Sequence, residues 1–174
     1  MKRLAAFLTA ALLAGPAAAD PVSEVLFTHK AWQVLGVAFD DGSVSCQAEV
    51  SDPGESFSMW IHQDGSVQVV FFSSQWDFGE GDSADLQVEV DNRSPWTLND
   101  AELYKSSVLF TLGDADAGAR FIREVAVGRV LYLRTEAGED VQSYSLSGSS
   151  AAIDALFECG DALTAVSDTN PFKN

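Results

Sequence analysis

The chain has 174 residues, 47% of them apolar, and with 10 Lys+Arg against 26 Asp+Glu its formal charge is −16 at pH 7. That length makes one domain with a sizeable core, and that charge repels phosphate backbones and anionic head groups, which argues against nucleic-acid binding and electrostatic membrane docking. A basic partner or divalent cations would be attracted, although dispersed acid also serves solubility alone.

Lys2 and Arg3 lead an apolar run from Leu4 to Ala14, Gly15-Pro16 breaks it, and Ala17-Ala18-Ala19 closes it before Asp20. A basic flank, a short apolar stretch and a small-residue cleavage site read as a secretory signal over residues 1–19. Its removal takes Lys2 and Arg3 with it and moves the charge from −16 to −18. No later apolar run approaches the roughly 20 residues of a membrane helix, so no membrane span is expected. An exported chain with only two cysteines, Cys46 and Cys159, points to one disulfide.

Trp32 to Phe39 is apolar on both faces, and Asp40-Asp41-Gly42 turns the chain into Ser43 to Val50. There Val44, Cys46, Ala48 and Val50 alternate with polar neighbours, the period of a half-buried strand, so Cys46 points inward. A turn at Ser51-Asp52-Pro53-Gly54 leads to a strand over Phe57–His62, and Asp64-Gly65 leads to another over Val67–Ser73. Gly79 to Asp85 reads as an acidic loop. Strands are predicted at Leu86–Asp91 and Val108–Leu112, with no assignment for Asn92–Lys105. Asp114 opens a helix that ends near Gly128. Val130–Thr135 and Val141–Leu146 are then strands, and a last helix starts at Ser149 or Ser150, either able to cap it. That helix presents Ile153, Leu156, Phe157, Gly160 and Leu163 on one face with Cys159 on its flank. The expected fold is mainly β with two helices (α+β): one antiparallel, sandwich-like domain over residues 20–163, followed by a tail over 164–174.

Chemistry is sparse. His62 sits on the polar face of its strand near Ser58 and Asp64, the ingredients of a Ser-His-Asp triad without a G-x-S-x-G elbow. His29 reads as an exposed residue. Asp114-x-Asp116-x-Gly118 starts like a calcium loop, but its twelfth position is Val125 instead of Glu, and a helix N-terminus accounts for the acids. Glu80, Asp82 and Asp85 form a second oxygen-rich group. No catalytic residue, metal site or cofactor is expected. Phe72 ends the most apolar stretch, Val67 to Phe72, and Trp76 and Phe78 follow it; both faces of this strand need cover. A sandwich core would supply it; failing that, these three rings would form a partner surface.

Three stretches carry a family likeness: LQVEVD at Leu86–Asp91, VGRVLYLRTEAGEDV at Val127–Val141 and YSLSGSSAAIDAL at Tyr144–Leu156. With the segment from Trp32 to Cys46, they resemble the invasion-associated locus B family of exported alphaproteobacterial proteins, chiefly over the C-terminal half. The resemblance implies a β-rich, non-catalytic protein of a Gram-negative bacterium, linked to the envelope or to host interaction, with no catalytic residues to carry over. The expectation is a periplasmic or secreted, disulfide-stabilised binding protein with a protein partner in the envelope. The alternatives are a small periplasmic hydrolase using His62 and an acidic inhibitor of a basic enzyme.

Overall fold

Ten strands hydrogen-bond into one antiparallel sheet in the order β1-β2-β3-β4-β5-β8-β7-β6-β9-β10. They are β1 (Val22–His29), β2 (Trp32–Ala38), β3 (Val44–Asp52), β4 (Glu55–His62), β5 (Val67–Ser73), β6 (Phe78–Val90), β7 (Trp96–Lys105), β8 (Ser107–Thr111), β9 (Val130–Thr135) and β10 (Asp140–Ser145), with helices α1 (Ala115–Val127) and α2 (Ser149–Ser167). The structure, a computed structural model, describes residues 21–113 and 115–167. The predicted signal, Asp114 and the tail beyond 167 lie outside the described residues.

The hairpins follow from local chemistry. Gly42, Gly54 and Gly65 sit at φ of 84°, 84° and 83°, where a side chain is strained, and the runs on either side alternate in polarity. Cross-strand register then sets Trp32, Val50, Phe57, Phe71 and Val108 side by side across five strands. All five are buried. On the other half of the sheet, Val90, Leu131 and Tyr144 form a second row on the inner face.

The two halves meet. Tyr144 packs against Phe57 and Phe71 at ring-centroid distances of 5.8 and 6.1 Å, so the β10 edge folds back across β4 and β5. Burial of apolar rings drives this closure. The result is mainly β with two helices and sandwich-like, as the sequence indicated.

Both helices pack on the inner side. Phe121 of α1 meets Trp96 edge-on at 5.8 Å, and Trp96 Nε1 donates to Glu124 at 2.9 Å. Gly128 ends α1 where a Cβ would lie 2.4 Å from Val90 Cγ1, so no larger residue fits. Ser149 does not use its hydroxyl to cap α2; its Oγ donates to the Val125 carbonyl at 2.8 Å and ties the two helices together. Gly160 lets α2 approach β4, where an added Cβ would meet Ile61 Cγ2 at 3.0 Å. Cys46 and Cys159 form the expected disulfide, with Cα atoms 6.0 Å apart. Among the described residues no helix is long and apolar enough to cross a membrane.

Three segments differ from the sequence reading. Residues 22–29 form the edge strand β1. Gly79–Asp85 is not a loop but part of the 13-residue β6, held by pairing of Asp82, Ser83 and Ala84 with Leu103, Glu102 and Ala101 of β7. The unassigned stretch supplies β7, and α2 runs on to Ser167.

A buried polar chain closes the seam. The Tyr144 hydroxyl donates to Gln142 Oε1, and Gln142 Nε2 donates to the Phe72 carbonyl at 3.4 Å. Burial first, then the charges of Glu55 and Asp52, push the Tyr144 phenol well above its ordinary value. Tyr144→Phe strands a buried acceptor and is expected to cost about 1 to 3 kcal/mol. The raised pKa also fixes a sign. The folded state keeps its proton where the unfolded chain loses it, so this contribution is complete below pH of about 10 and fades above it. Urea unfolding at pH 8 and pH 11 should show a smaller alkaline loss in Tyr144→Phe than in the wild type.

Candidate functional site

The helices leave the opposite, outer face of β3, β4 and β5 uncovered among the described residues. Register determines what that face carries. Ser45 faces His62, Gln47 faces Trp60, Glu49 faces Ser58 and Ser51 faces Ser56. On the next strand Gln68, Val70 and Phe72 stand opposite Trp60, Ser58 and Ser56. Trp60 is half-buried and Phe72 is 36% exposed.

The face is ordered by its own side chains. Phe39, Trp60 and His62 form a row of rings with successive centroids 6.3 Å apart. Trp60 Nε1 donates to Ser58 Oγ at 3.0 Å, which orients the indole. Gln33, Gln47 and Ser51 donate to the Glu49 carboxylate at 3.3, 3.0 and 2.7 Å. No salt bridge engages Glu49 among the described residues, while Asp52 and Glu55, two steps beyond Val50 and before Phe57, fall on the inner side near Tyr144.

Two shallow clefts lie on this side. One of about 420 Å³ is lined by Gln47, Glu49, Asp52, Glu55, Trp60 and Phe72. The other, about 430 Å³, lies at the strand ends among Phe39, Asp41, Ser45, His62 and Asp64. The near-parallel rings of Trp60 and His62 separate them.

His62 does have a serine, though not the one expected. Its Nδ1 lies 2.9 Å from Ser45 Oγ, while Ser58 accepts from Trp60. Ser45 is 2% exposed. Asp64 is bonded within its own turn: the Ser66 hydroxyl and then the Ser66 N–H, at 2.6 and 2.9 Å, hold its carboxyl below the usual range, with a smaller contribution from His62. Asp41 repeats the arrangement with Ser43. The Ser45–His62 pair was legible in principle, because a two-residue Pro53-Gly54 loop closing on Asp52 and Glu55 fixes the register at every later pair.

The three rings singled out from the sequence separate. Phe72 stands on the outer face between Ser56 and Ser107. Trp76 and Phe78 pack on each other at a tilt, with centroids 5.5 Å apart, half-buried against the core. Trp60 and Glu49 went unnoticed because only pairing across strands assembles them. His29 is exposed and lies in a separate cleft of about 510 Å³ with Lys30, Arg129 and the start of α2, where Lys30 Nζ donates to Ser147 Oγ at 3.0 Å. Among the described residues no group of three or more His, Cys, Asp or Glu side chains is placed to hold a metal ion.

These features define a class: a disulfide-tied antiparallel β domain with two inner helices and an aromatic outer face. Among solved structures the chain is similar to the crystal structure of invasion-associated protein B from Bartonella henselae. It shares 17% identity with a TM-score of 0.49, over 80% of this chain and 99% of that one. This is the family whose motifs the sequence resembles. No family model and no curated protein matches the chain.

Proposed function

We propose that this is an exported, non-catalytic binding protein whose working surface is the outer face of β3–β5. The observation that carries the reading is the row of Trp60, Val70 and Phe72 beside Glu49, whose carboxylate no salt bridge engages among the described residues. Exposed aromatic area with a polar surround marks partner surfaces. Export rests on the basic and apolar leader together with the disulfide.

The test uses mature protein as bait in a periplasmic extract, wild type against a Trp60→Ala/Phe72→Ala double variant with unchanged thermal unfolding. Saturable capture by the wild type that falls at least tenfold in the variant is expected, since buried aromatic anchors dominate interface energies. Equal capture by both baits would overturn the assignment of the face. A hydrolase is the second reading, favoured by the 2.9 Å Ser45–His62 contact alone. It requires that His62→Ala abolish turnover of nitrophenyl esters, whereas no His62-dependent turnover is expected.

A further inference from the structure

We infer that the free edge of β1 pairs with β1 of a second copy of this chain, antiparallel about a two-fold axis, so that the two sheets run on as one. The sheet has two outer strands, β1 and β10. β10 turns onto β4 and β5, where Gln142 Nε2 reaches the Phe72 carbonyl, and the acids Glu136, Glu139 and Asp140 lead into it. β1 differs on every count. Among the described residues it pairs with β2 alone, and all of its residues but Phe27 are exposed. An unpaired row of N–H and C=O groups is a template for another strand. The same strand holds Val22, Val25 and Leu26, exposed to 73, 53 and 52%, three of the eight large apolar side chains that stand out from the described surface. Burying this cluster drives association.

Charge selects the occupant. Residues 21–39, which make β1, β2 and their turn, hold one acid, Glu24, and one cation, Lys30, whereas residues 40–174 hold 24 acids against 7 Lys or Arg. Two mature copies at −18 each repel over most of their surface, and this neutral ribbon is where they meet without opposing carboxylates. A basic partner would be drawn to the acidic remainder instead. With a single acid on the strand, antiparallel pairing centred on Leu26 holds the two Glu24 side chains apart. Because β10 offers no matching edge, association closes at two copies and does not grow into a fibre. The break in register between Val25 and Phe27 interrupts the regular strand, so the contact belongs at the weak end of specific interfaces, with a dissociation constant of roughly 10 to 100 μM.

Sedimentation equilibrium of the mature protein from about 5 to 500 μM is expected to show a monomer–dimer equilibrium, tighter at about 500 than at 50 mM salt, because screening relieves the repulsion between like-charged copies. Val25→Lys/Leu26→Lys sets solvated cations on the edge and should raise the dissociation constant at least tenfold with thermal unfolding unchanged. Each added Lys lowers the net repulsion, so weakening of this kind comes from the edge itself. Val22→Lys, at the most exposed of the three positions, carries the test should the double variant unfold. Val127→Lys/Val141→Lys makes the same charge change at exposed positions on α1 and β10 and should alter the constant less than twofold. A monomer at every concentration in both salts, or equal weakening by the two double variants, would overturn the inference. A dimer that survives Val25→Lys/Leu26→Lys and is lost in Trp60→Ala/Phe72→Ala would place the contact on the outer face of β3–β5 and refute the edge.

Discussion

Replacing Cys46 with alanine is expected to lower stability by about 2 to 5 kcal/mol and to release α2 before the sheet opens. The bond joins positions separated by 113 in sequence, and in the chain-entropy model a loop of that length is worth about 4 to 5 kcal/mol. Cys46 is fully buried on β3 and cannot be exchanged for solvent contacts, whereas Cys159 is half-buried on α2. Without the bond, α2 keeps Ser149 Oγ on the Val125 carbonyl at its start and the Gly160–Ile61 contact further on. Local opening should therefore begin at the C-terminal turns beyond Gly160. Hydrogen exchange on the variant should show faster exchange over α2 with β3–β5 unchanged. Simultaneous loss of protection in α2 and the sheet would mean that the bond serves the whole core instead of one helix.

What the sequence discloses depends on how locally each element is determined. β3, β4 and β5 were readable because Asp41-Gly42 and Asp64-Gly65 mark their turns and one face of each strand is buried. β1 was not, since an edge strand with Val22 and Val25 exposed has no buried face to impose a period. Gly79–Asp85 carries turn-forming residues and looks like a loop until β7 pairs with it. Breaks in register between Phe78 and Asp82 and between Ala84 and Leu86 absorb the misfit. β7 is itself disguised by Asp100 at φ 53°, whose N–H donates to Asp85 Oδ1 at 2.9 Å. Here tertiary pairing overrides local preference.

The outer face was legible only in part. Phe72 announces itself through the alternation of β5, but Glu49, Trp60 and Phe72 belong to three strands, and only the registers of two hairpins bring them together. Trp76 and Phe78 mislead for the converse reason. They follow β5 closely in sequence, and after Ser73 the chain turns them onto the core instead of leaving them beside Phe72.

Phe57→Ala should be the most damaging single core substitution, at about 3 to 5 kcal/mol. Phe57 is fully buried and meets Trp32 at 6.1 Å, Phe71 at 5.2 Å and Tyr144 at 5.8 Å, so its ring is common to both halves of the folded sheet. Truncation removes the transfer free energy of the ring and leaves a cavity that β-sheet backbones on two sides cannot collapse to fill. It also removes a ring contact from Tyr144, the residue through which β10 packs onto β4. Phe57→Leu keeps much of the volume and should cost roughly 1 to 2 kcal/mol, because shape and not polarity changes. Denaturant unfolding gives both values, and hydrogen exchange should show β9 and β10 opening first in Phe57→Ala. A cost below about 1 kcal/mol for Phe57→Ala would contradict a closed aromatic core, since even surface substitutions reach half that. Loss of protection confined to β3 and β4 would show that the β10 edge does not depend on this ring.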